Sequence, residues 1–283
     1  MTKGKTHIAI IGGSGIYNLE GFKVVESHET LTPFGKPSGP IQLIEFNESL
    51  FYFVARHGAG HFIAPSEINY RANIFALKSL GAKYIVSVSA VGSLKEEHPP
   101  KKFVLPDQFI DWTKGKRERS FFGEGMVGHV SVAYPVEKNL QVMIAGCLNE
   151  AEIDHSVGGS YICIEGPQFS TRAESELYRS FGATVIGMTN VPEAFLAKEA
   201  GMSYATVAMV TDYDCWKEEH CSLEEILNVM GENYKSAQKL VSKLIPKLYN
   251  NPPKFEPENQ CAVVTAPEQQ TPAHKEILKV LLS

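Results

Sequence analysis

Two carboxylates flank one tyrosine in Thr211-Asp212-Tyr213-Asp214-Cys215-Trp216, directly after an apolar run that ends at Met209-Val210. Residues at i and i+2 of a strand share a face, so Asp212 and Asp214 can reach neighbouring atoms of one ligand. A pair of acids also invites comparison with glycoside hydrolysis. The apolar flanks Met209, Val210, Cys215 and Trp216 argue against a solvated acidic loop. A second segment, Ala55-Arg56-His57-Gly58-Ala59-Gly60-His61, puts a guanidinium at the end of an apolar strand. Such a group is costly to bury unless an oxyanion satisfies its fork, and His57 adds a possible second donor. The His pair at i and i+4 suggests a metal site. However, Gly58 and Gly60 oppose a helix between them, and no carboxylate lies inside the run. Phosphate binding and a surface His pair both remain open on this segment alone.

Further segments place polar groups where apolar runs stop. Gly12-Gly13-Ser14-Gly15 follows a short strand, and its glycines would let backbone N–H groups approach an anion. It is not a dinucleotide fingerprint, because Tyr17 and Asn18 stand where a third glycine would fall, and no GxxxxGK[ST] occurs. On its own it reads as an ordinary turn. Ser89-Ala90-Val91-Gly92-Ser93 ends another apolar strand with small residues that expose the backbone of Ala90. In Glu165-Gly166-Pro167-Gln168-Phe169-Ser170-Thr171-Arg172, Phe169 offers an aromatic face. Ser170 and Thr171 compete for a helix cap, and Glu165 either binds sugar hydroxyls or pairs with Arg172. Gly187-Met188-Thr189-Asn190 places Thr189 near a helix start, where an anion is favoured, and Met188 either packs on a ligand or fills the core.

The elements that would carry these residues alternate. Strands are expected at His7–Ile11, Ile41–Phe46, Leu50–Ala55, Tyr84–Ser89, Phe103–Ile110, Tyr161–Ile164, Thr184–Met188 and Ser203–Val210. Helical spacing covers Asn69–Leu80, Val136–Glu150, Thr171–Phe181, Pro192–Ala200 and Ser222–Leu248, the last with Ser222 as N-cap and Glu225 in the capping-box position. Leu94–Lys102 reads as loop. Residues 250–271 read as an exposed connection to a short helix at His274–Leu282. Alternation of this kind predicts an α/β fold with helices on the faces of a sheet, here as one domain spanning 1–283 with a looser tail from about residue 249.

Composition narrows the field. The 283 residues carry 27 Lys+Arg against 32 Asp+Glu, a net charge of −5, which opposes general nucleic-acid binding. No apolar run is long enough for a membrane span, and His7–Ile11 is too short for the core of a signal peptide. Cys147, Cys163, Cys215, Cys221 and Cys261 form no CxxC pair, so reduced thiols in a cytoplasmic protein are expected.

Seven blocks in order resemble the trimeric nucleoside phosphorylase family: IGGSG at 11–15, TPFGKPS at 32–38, ARHG at 55–58, SAVGSL at 89–94, EGPQFSTRAES at 165–175, GMTNVPEA at 187–194 and TDYDCWKE at 211–218. The likeness runs from about residue 7 to 248. It implies a single-domain mixed twisted sheet flanked by helices. It implies that Ser14, Arg56, His57, Ser89, Ala90 and Thr189 hold inorganic phosphate, and that Met188 packs a ribose. Phe169, Ser170, Asp212 and Asp214 would then surround a purine, with Asp212 as the catalytic acid. His129 from a neighbouring subunit, with Leu223, Ile226 and Leu227, would line a 5′ pocket. Leu223, Ile226 and Leu227 share one helical face at i, i+3 and i+4, which suits a thioether better than a hydroxyl. Asp at 212 marks the 6-aminopurine members, since 6-oxopurine members carry Asn there. The implied reaction is phosphorolysis of S-methyl-5′-thioadenosine to adenine and 5-methylthioribose 1-phosphate by a homotrimer without metal or organic cofactor. Phosphorolysis of 6-oxopurine nucleosides is the alternative. Gly187 departs from the Asn often found there in 6-aminopurine members, and Ser14 and Ser89 replace frequent Thr residues.

Overall fold

The computed structural model describes residues 6–13, 21–217 and 223–283. Eleven strands form one mixed sheet. In chain order the elements are β1 (Ile8–Gly12), β2 (Lys23–His28), β3 (Ile41–Phe46), β4 (Ser49–Ala55), α1 (Tyr70–Ser79), β5 (Tyr84–Ser93), β6 (Phe103–Leu105), β7 (Gln108–Trp112), α2 (Lys138–Glu150), β8 (His155–Val157), β9 (Ser160–Ile164), α3 (Arg172–Ser180), β10 (Val185–Gly187), α4 (Asn190–Glu199), β11 (Ser203–Tyr213), α5 (Leu223–Asn250) and α6 (Pro272–Leu281). The α/β fold and mixed sheet expected above are what the chain adopts.

The sheet has a main path β2-β3-β4-β1-β5-β10-β9-β7 and a branch in which β11 pairs with β5 and β6, and β6 with β8. β5 is the hinge of this arrangement. On one edge it pairs with β11 along nearly its whole length. On the other it pairs in parallel with β1 from Tyr84 to Ser87, then antiparallel with β10 at Gly92 and Ser93. Among the described residues, the intervening Val88 to Val91 have no strand partner on that edge. A sheet that parts in this way leaves a crevice beside the strand, the place where open α/β sheets bind ligands.

Alternating side chains bury both faces of the sheet. Ile8, Ile10, Val86, Val207 and Met209 pack against Leu140 and Ile144 of α2 and Leu240, Val241 and Leu244 of α5. Ala9, Ile11, Ile85 and Tyr204 face Ile74 and Leu77 of α1, Leu196 of α4 and Leu278 and Leu281 of α6. Each buried aliphatic side chain of this kind contributes about 1.5–3 kcal/mol of transfer free energy.

Several boundaries differ from the sequence expectation. Phe103–Ile110 splits into β6 and β7 at Pro106, which has no N–H for a ladder; the next two amides, of Asp107 and Gln108, donate instead to Gly159 O at 3.1 and 3.3 Å. β2 is mostly exposed along its length, so no apolar alternation announces it. β5 and β11 each extend beyond the expected end, which puts Asp212 on a strand rather than past one. Residues 250–271 are not simply exposed: Asn259 is fully buried, and its Nδ2 donates to Glu199 O and Leu281 O, both at 2.9 Å. The terminal helix begins two residues earlier than expected, with Thr271 as N-cap. The expected N-cap of α5, Ser222, lies outside the described residues.

Candidate active site

A cavity of about 260 Å³ opens beside β5, lined by Val88, Ser89, Ala90, Val91 and Gly92 of that strand. Its other walls include Gly13 after β1, Arg56 and His57 after β4, and Phe169 and Ser170 before α3. Gly187 at the end of β10, Met188 and Thr189 between β10 and α4, and Asp212 and Asp214 at the end of β11 complete most of the rest. The sheet thus gathers strand ends that are far apart in sequence into one crevice.

Asp212 owes its aim to a bulge. The register of β11 against β5 slips between Val210, opposite Val91, and Asp212, opposite Gly92, so Thr211 is the extra residue. Thr211 Oγ1 donates to Asp212 Oδ1 at 2.6 Å. Gly92 keeps the space beside the acids open. A Cβ there would lie 3.1 Å from Ile186 Cγ2, 3.5 Å from Asp214 Cβ and 3.6 Å from Asp212 Oδ2. Burial pushes the Asp212 carboxyl above its ordinary range. The Thr211 hydroxyl opposes the shift, and the neighbouring Asp214 adds to it. Asp214 is raised in the same way, chiefly by burial, with the hydroxyls of Ser175 and Ser170 opposing. Asp214 Oδ2, Ser170 Oγ and Ser175 Oγ sit close together in the interior, yet none makes a hydrogen bond of good geometry. A ligand's polar edge would satisfy such a group.

Arg56 is 2% exposed, and its fork is already filled. Nε donates to Glu193 Oε2 at 2.7 Å, and Nη2 donates to Glu193 Oε1 at 3.0 Å and to Ser87 Oγ at 2.7 Å. Nη1 reaches Val88 O at 3.3 Å. The bidentate oxyanion partner expected from sequence is therefore an internal carboxylate, and Arg56 offers the cavity positive charge and a remaining Nη1 hydrogen. Glu193, inside the block at 187–194, is fully buried, and nothing in its local spacing marks it as the partner of Arg56.

His57 also differs from the expected donor. Its Nδ1 lies 2.8 Å from Ile63 O, and a carbonyl can only accept, so Nδ1 carries the hydrogen. Burial and Arg56 lower its pKa to about 4, which keeps the ring neutral. The free Nε2 is then an acceptor, suited to a P–OH group rather than to a bare phosphate oxygen. The ring of His61 stacks on it with centroids 4.2 Å apart.

Ser89 Oγ and Thr189 Oγ1 stand 3.2 Å apart in the cavity wall. Thr189 is the residue before α4 and makes no side-chain cap there, so its hydroxyl is free for other work. Met188 lines the cavity and fills the space over Gly166, whose φ of +71° favours glycine. Phe169 lines the cavity and is 75% exposed, as a face awaiting a flat ligand would be.

Not every expected residue converges. Ser14 lies outside the described residues, and Leu223 opens α5 with its side chain outside them. Ile226 lines the cavity, but Leu227 is exposed and does not; Met230 and Tyr234 continue the wall at i+4 and i+8 from Ile226. The i, i+3, i+4 stripe gives way because only one narrow row of α5 faces the crevice. His129 is exposed, is not among the residues lining this cavity, and its N–H donates to Ala262 O at 2.8 Å. Glu165 does not pair with Arg172. It accepts from Arg117 Nε and Lys114 N, each at 2.8 Å. Arg117 in turn donates from Nη1 to Met188 O at 2.7 Å and Val191 O at 2.6 Å, pinning the loop that carries Met188 and Thr189. Arg117 sits in the charged run Lys114–Arg119, which in sequence looks like a solvated surface.

Known proteins similar to this chain fall in one family. The family model described as phosphorylase superfamily matches residues 7–246. An S-methyl-5′-thioadenosine phosphorylase of Koribacter versatilis is 45% identical over 98% of this chain and 96% of its own. One of Hyperthermus butylicus is 50% identical over 88% and 91%. Among solved structures, a methylthioadenosine phosphorylase from an Antarctic soil metagenomic library superposes with a TM-score of 0.92 at 44% identity, covering 99% of this chain and 100% of the other. The Schistosoma mansoni enzyme in complex with adenine gives 0.81 at 35% identity, over 86% and 92%.

Proposed function

The chain belongs to the phosphorylase superfamily, and from that premise we propose that it cleaves S-methyl-5′-thioadenosine with inorganic phosphate, giving adenine and 5-methylthioribose 1-phosphate. The observation that carries this reading is the span of the crevice. Ser89 and Gly92 are three residues apart on β5, about 10 Å along a strand. Ser89 and Thr189 stand at the first position, and Asp212, in register with Gly92, at the other. That interval fits a phosphate at one end and a purine ring at the other, with a ribose between them.

Phosphate is a co-substrate here, and the reading calls for no metal or organic cofactor. The hydroxyls of Ser89 and Thr189, the Ala90 backbone and the Arg56 charge hold it, and His57 Nε2 accepts from its P–OH. The phosphate oxygen attacks C1′ as the N-glycosidic bond breaks. Charge that is positive near C1′–O4′ and negative on the departing purine develops only in the transition state, so groups placed for those charges accelerate the step. Asp212, whose buried carboxyl favours the protonated form, donates to purine N7 and relieves the leaving group. Its oxygens accept from the exocyclic 6-amino group, whereas a 6-oxo group would set lone pair against lone pair. Phe169 covers the ring face. Ile226 and Met230 give the 5′ end an apolar wall suited to a methylthio group.

The assembled enzyme is read as a trimer in the cytoplasm. The exposed His129 and the open Phe169 support a site completed by a neighbouring copy. The unpaired thiols Cys147, Cys163, Cys215 and Cys261 suit a reducing compartment, and among the described residues no helix is long and apolar enough to cross a membrane. Product analysis tests the chemistry: incubation with S-methyl-5′-thioadenosine releases adenine when phosphate is present and not when it is withheld. Release at the same rate without phosphate would indicate hydrolysis and overturn the proposal.

A further inference from the structure

Behind the cavity wall stands a group that neither the family blocks nor the mechanism uses. Tyr161 stands on β9, one strand in from the β7 end of the sheet's main path, paired with Phe109 of β7 and Val185 of β10, and its ring is fully buried with the Phe109 ring 5.7 Å away. A phenol held so firmly has to find a hydrogen-bond partner in the interior. Its hydroxyl comes to 3.5 Å from Ser89 Oγ. Burial drives its pKa up to about 12, so the phenol keeps its hydrogen; Ser89 and Thr189, within hydrogen-bonding reach, oppose the rise. Tyr161 is not among the residues lining the cavity, and it bears on the site through Ser89, Thr189 and Gly187.

Gly187 is what admits it. A Cβ built on Gly187 would stand 2.6 Å from Tyr161 Cζ and closer still to the hydroxyl. The ring is fully buried, so a side chain added at 187 meets a phenol that is already enclosed. A side chain at 187 and the phenol at 161 therefore exclude one another, and the space over Gly187 is a seat already taken by a hydroxyl rather than a missing contact.

We propose that Tyr161 is a positioning residue of this site: its hydroxyl, seated over Gly187, orients the Ser89–Thr189 hydroxyl pair so that the outermost hydrogen of the pair faces the phosphate. The role rests on the reading of the cavity as a phosphate site. Ser89 and Thr189 each carry one hydrogen and two lone pairs. Left alone, the Ser89 hydrogen has an inward acceptor, the Ala90 carbonyl at 3.4 Å, and Thr189 Oγ1 competes for it at 3.2 Å. Tyr161 supplies a donor from the interior side. Its hydrogen fills a lone pair of this hydroxyl pair and sets a direction, so the hydrogens run from Tyr161 through the pair and the last one faces the cavity. Chains of hydroxyls aligned in one direction strengthen each other as donors. An anion arriving there finds that donor already turned.

The experiment is steady-state kinetics of Tyr161→Phe, varying phosphate and nucleoside separately, beside the wild type. Loss of one neutral hydrogen bond is expected to raise the phosphate KM about three- to tenfold while the nucleoside KM stays within about twofold and the melting midpoint stays near that of the wild type. An unchanged phosphate KM in Tyr161→Phe, or a proportional change in both KM values, overturns the positioning role. Wild-type enzyme that releases no adenine in a phosphate-dependent manner overturns the functional reading itself, and the positioning role with it. Gly187→Ala is the second variant, since its methyl unseats the same hydroxyl from the opposite side. It is expected to raise the phosphate KM more than the nucleoside KM, and the reverse order counts against the proposal.

Discussion

A carboxyl group enclosed beside a second carboxyl is costly to ionise, and in the proposed reaction this cost at Asp212 serves the leaving group. The residue types were legible in sequence: two acids after an apolar run, flanked by Cys215 and Trp216. The bulge at Thr211 that aims Asp212 and the glycine at 92 that leaves room for both acids were not, because each depends on the strand alongside. Asp212→Asn keeps the shape and a donor but has no acidic proton to give to N7, and its amide can turn an N–H toward a 6-oxo group. We expect it to slow cleavage of S-methyl-5′-thioadenosine and to shift relative kcat/KM toward inosine, by about 2–4 kcal/mol of discrimination. Equal losses on both nucleosides would contradict the base-reading role. The same substitution has a stability consequence with a definite sign. The folded pKa of Asp212 is raised, so between the ordinary carboxylate pKa and the folded one the native state binds more protons than the unfolded state. Asp212 therefore weakens the apo fold as pH rises through that window. Removing the charge should raise the melting temperature at neutral pH and leave it nearly unchanged in acid below the ordinary carboxylate range.

At the scale of elements, the pair of Arg56 and Glu193 joins the end of β4 to α4 and catches Ser87 of β5 on the way. Glu193 Oε1 also accepts from Tyr204 Oη of β11 at 2.9 Å, so one carboxylate gathers four elements. The sequence showed that Arg56 needed an oxyanion, and the need was real, but the partner lay 137 residues away and no local spacing points to it. The consequence is that Arg56 cannot be tested as a phosphate ligand alone. Arg56→Ala leaves a buried carboxylate unpaired and should cost about 3–5 kcal/mol of stability, read by chemical denaturation, in addition to impaired phosphate use. A variant as stable as the wild type would show that Glu193 is not held by this pair. Arg117 plays a matching part for the loop of Met188 and Thr189, from a charged run that gave no hint of burial.

For the whole molecule, the crevice is open where Phe169 stands, and His129 projects from a surface that does not reach its own chain's cavity. A neighbouring copy that brings His129 to the 5′ end would join the assembly state to the chemistry. Light scattering on the active enzyme should give a mass near three times that of the chain, and dilution that yields monomers should lower specific activity in step. A monomer of full activity would remove the shared pocket. The chain's far end also belongs to this scale: α6 seals the face of α1 and α4 with Ile277, Leu278 and Leu281, and Asn259 fastens the connection to it, so the tail is part of the core rather than an appendage.

By itself the sequence determined the chemistry that would be present: acids, a guanidinium, small hydroxyl residues and an aromatic face, each at the end of an apolar strand. Local spacing suffices for this, because strand and helix periods and turn residues are short-range properties. Tertiary structure alone decided how those groups are used. The parting of β1 and β10 along β5 creates the crevice, Glu193 takes the fork of Arg56, Ile63 takes the donor of His57, and the hydroxyl of Tyr161 takes the seat over Gly187. Each of these is a contact between residues distant in the chain, and the hydrogens left over for a ligand can be counted only after such contacts have claimed theirs.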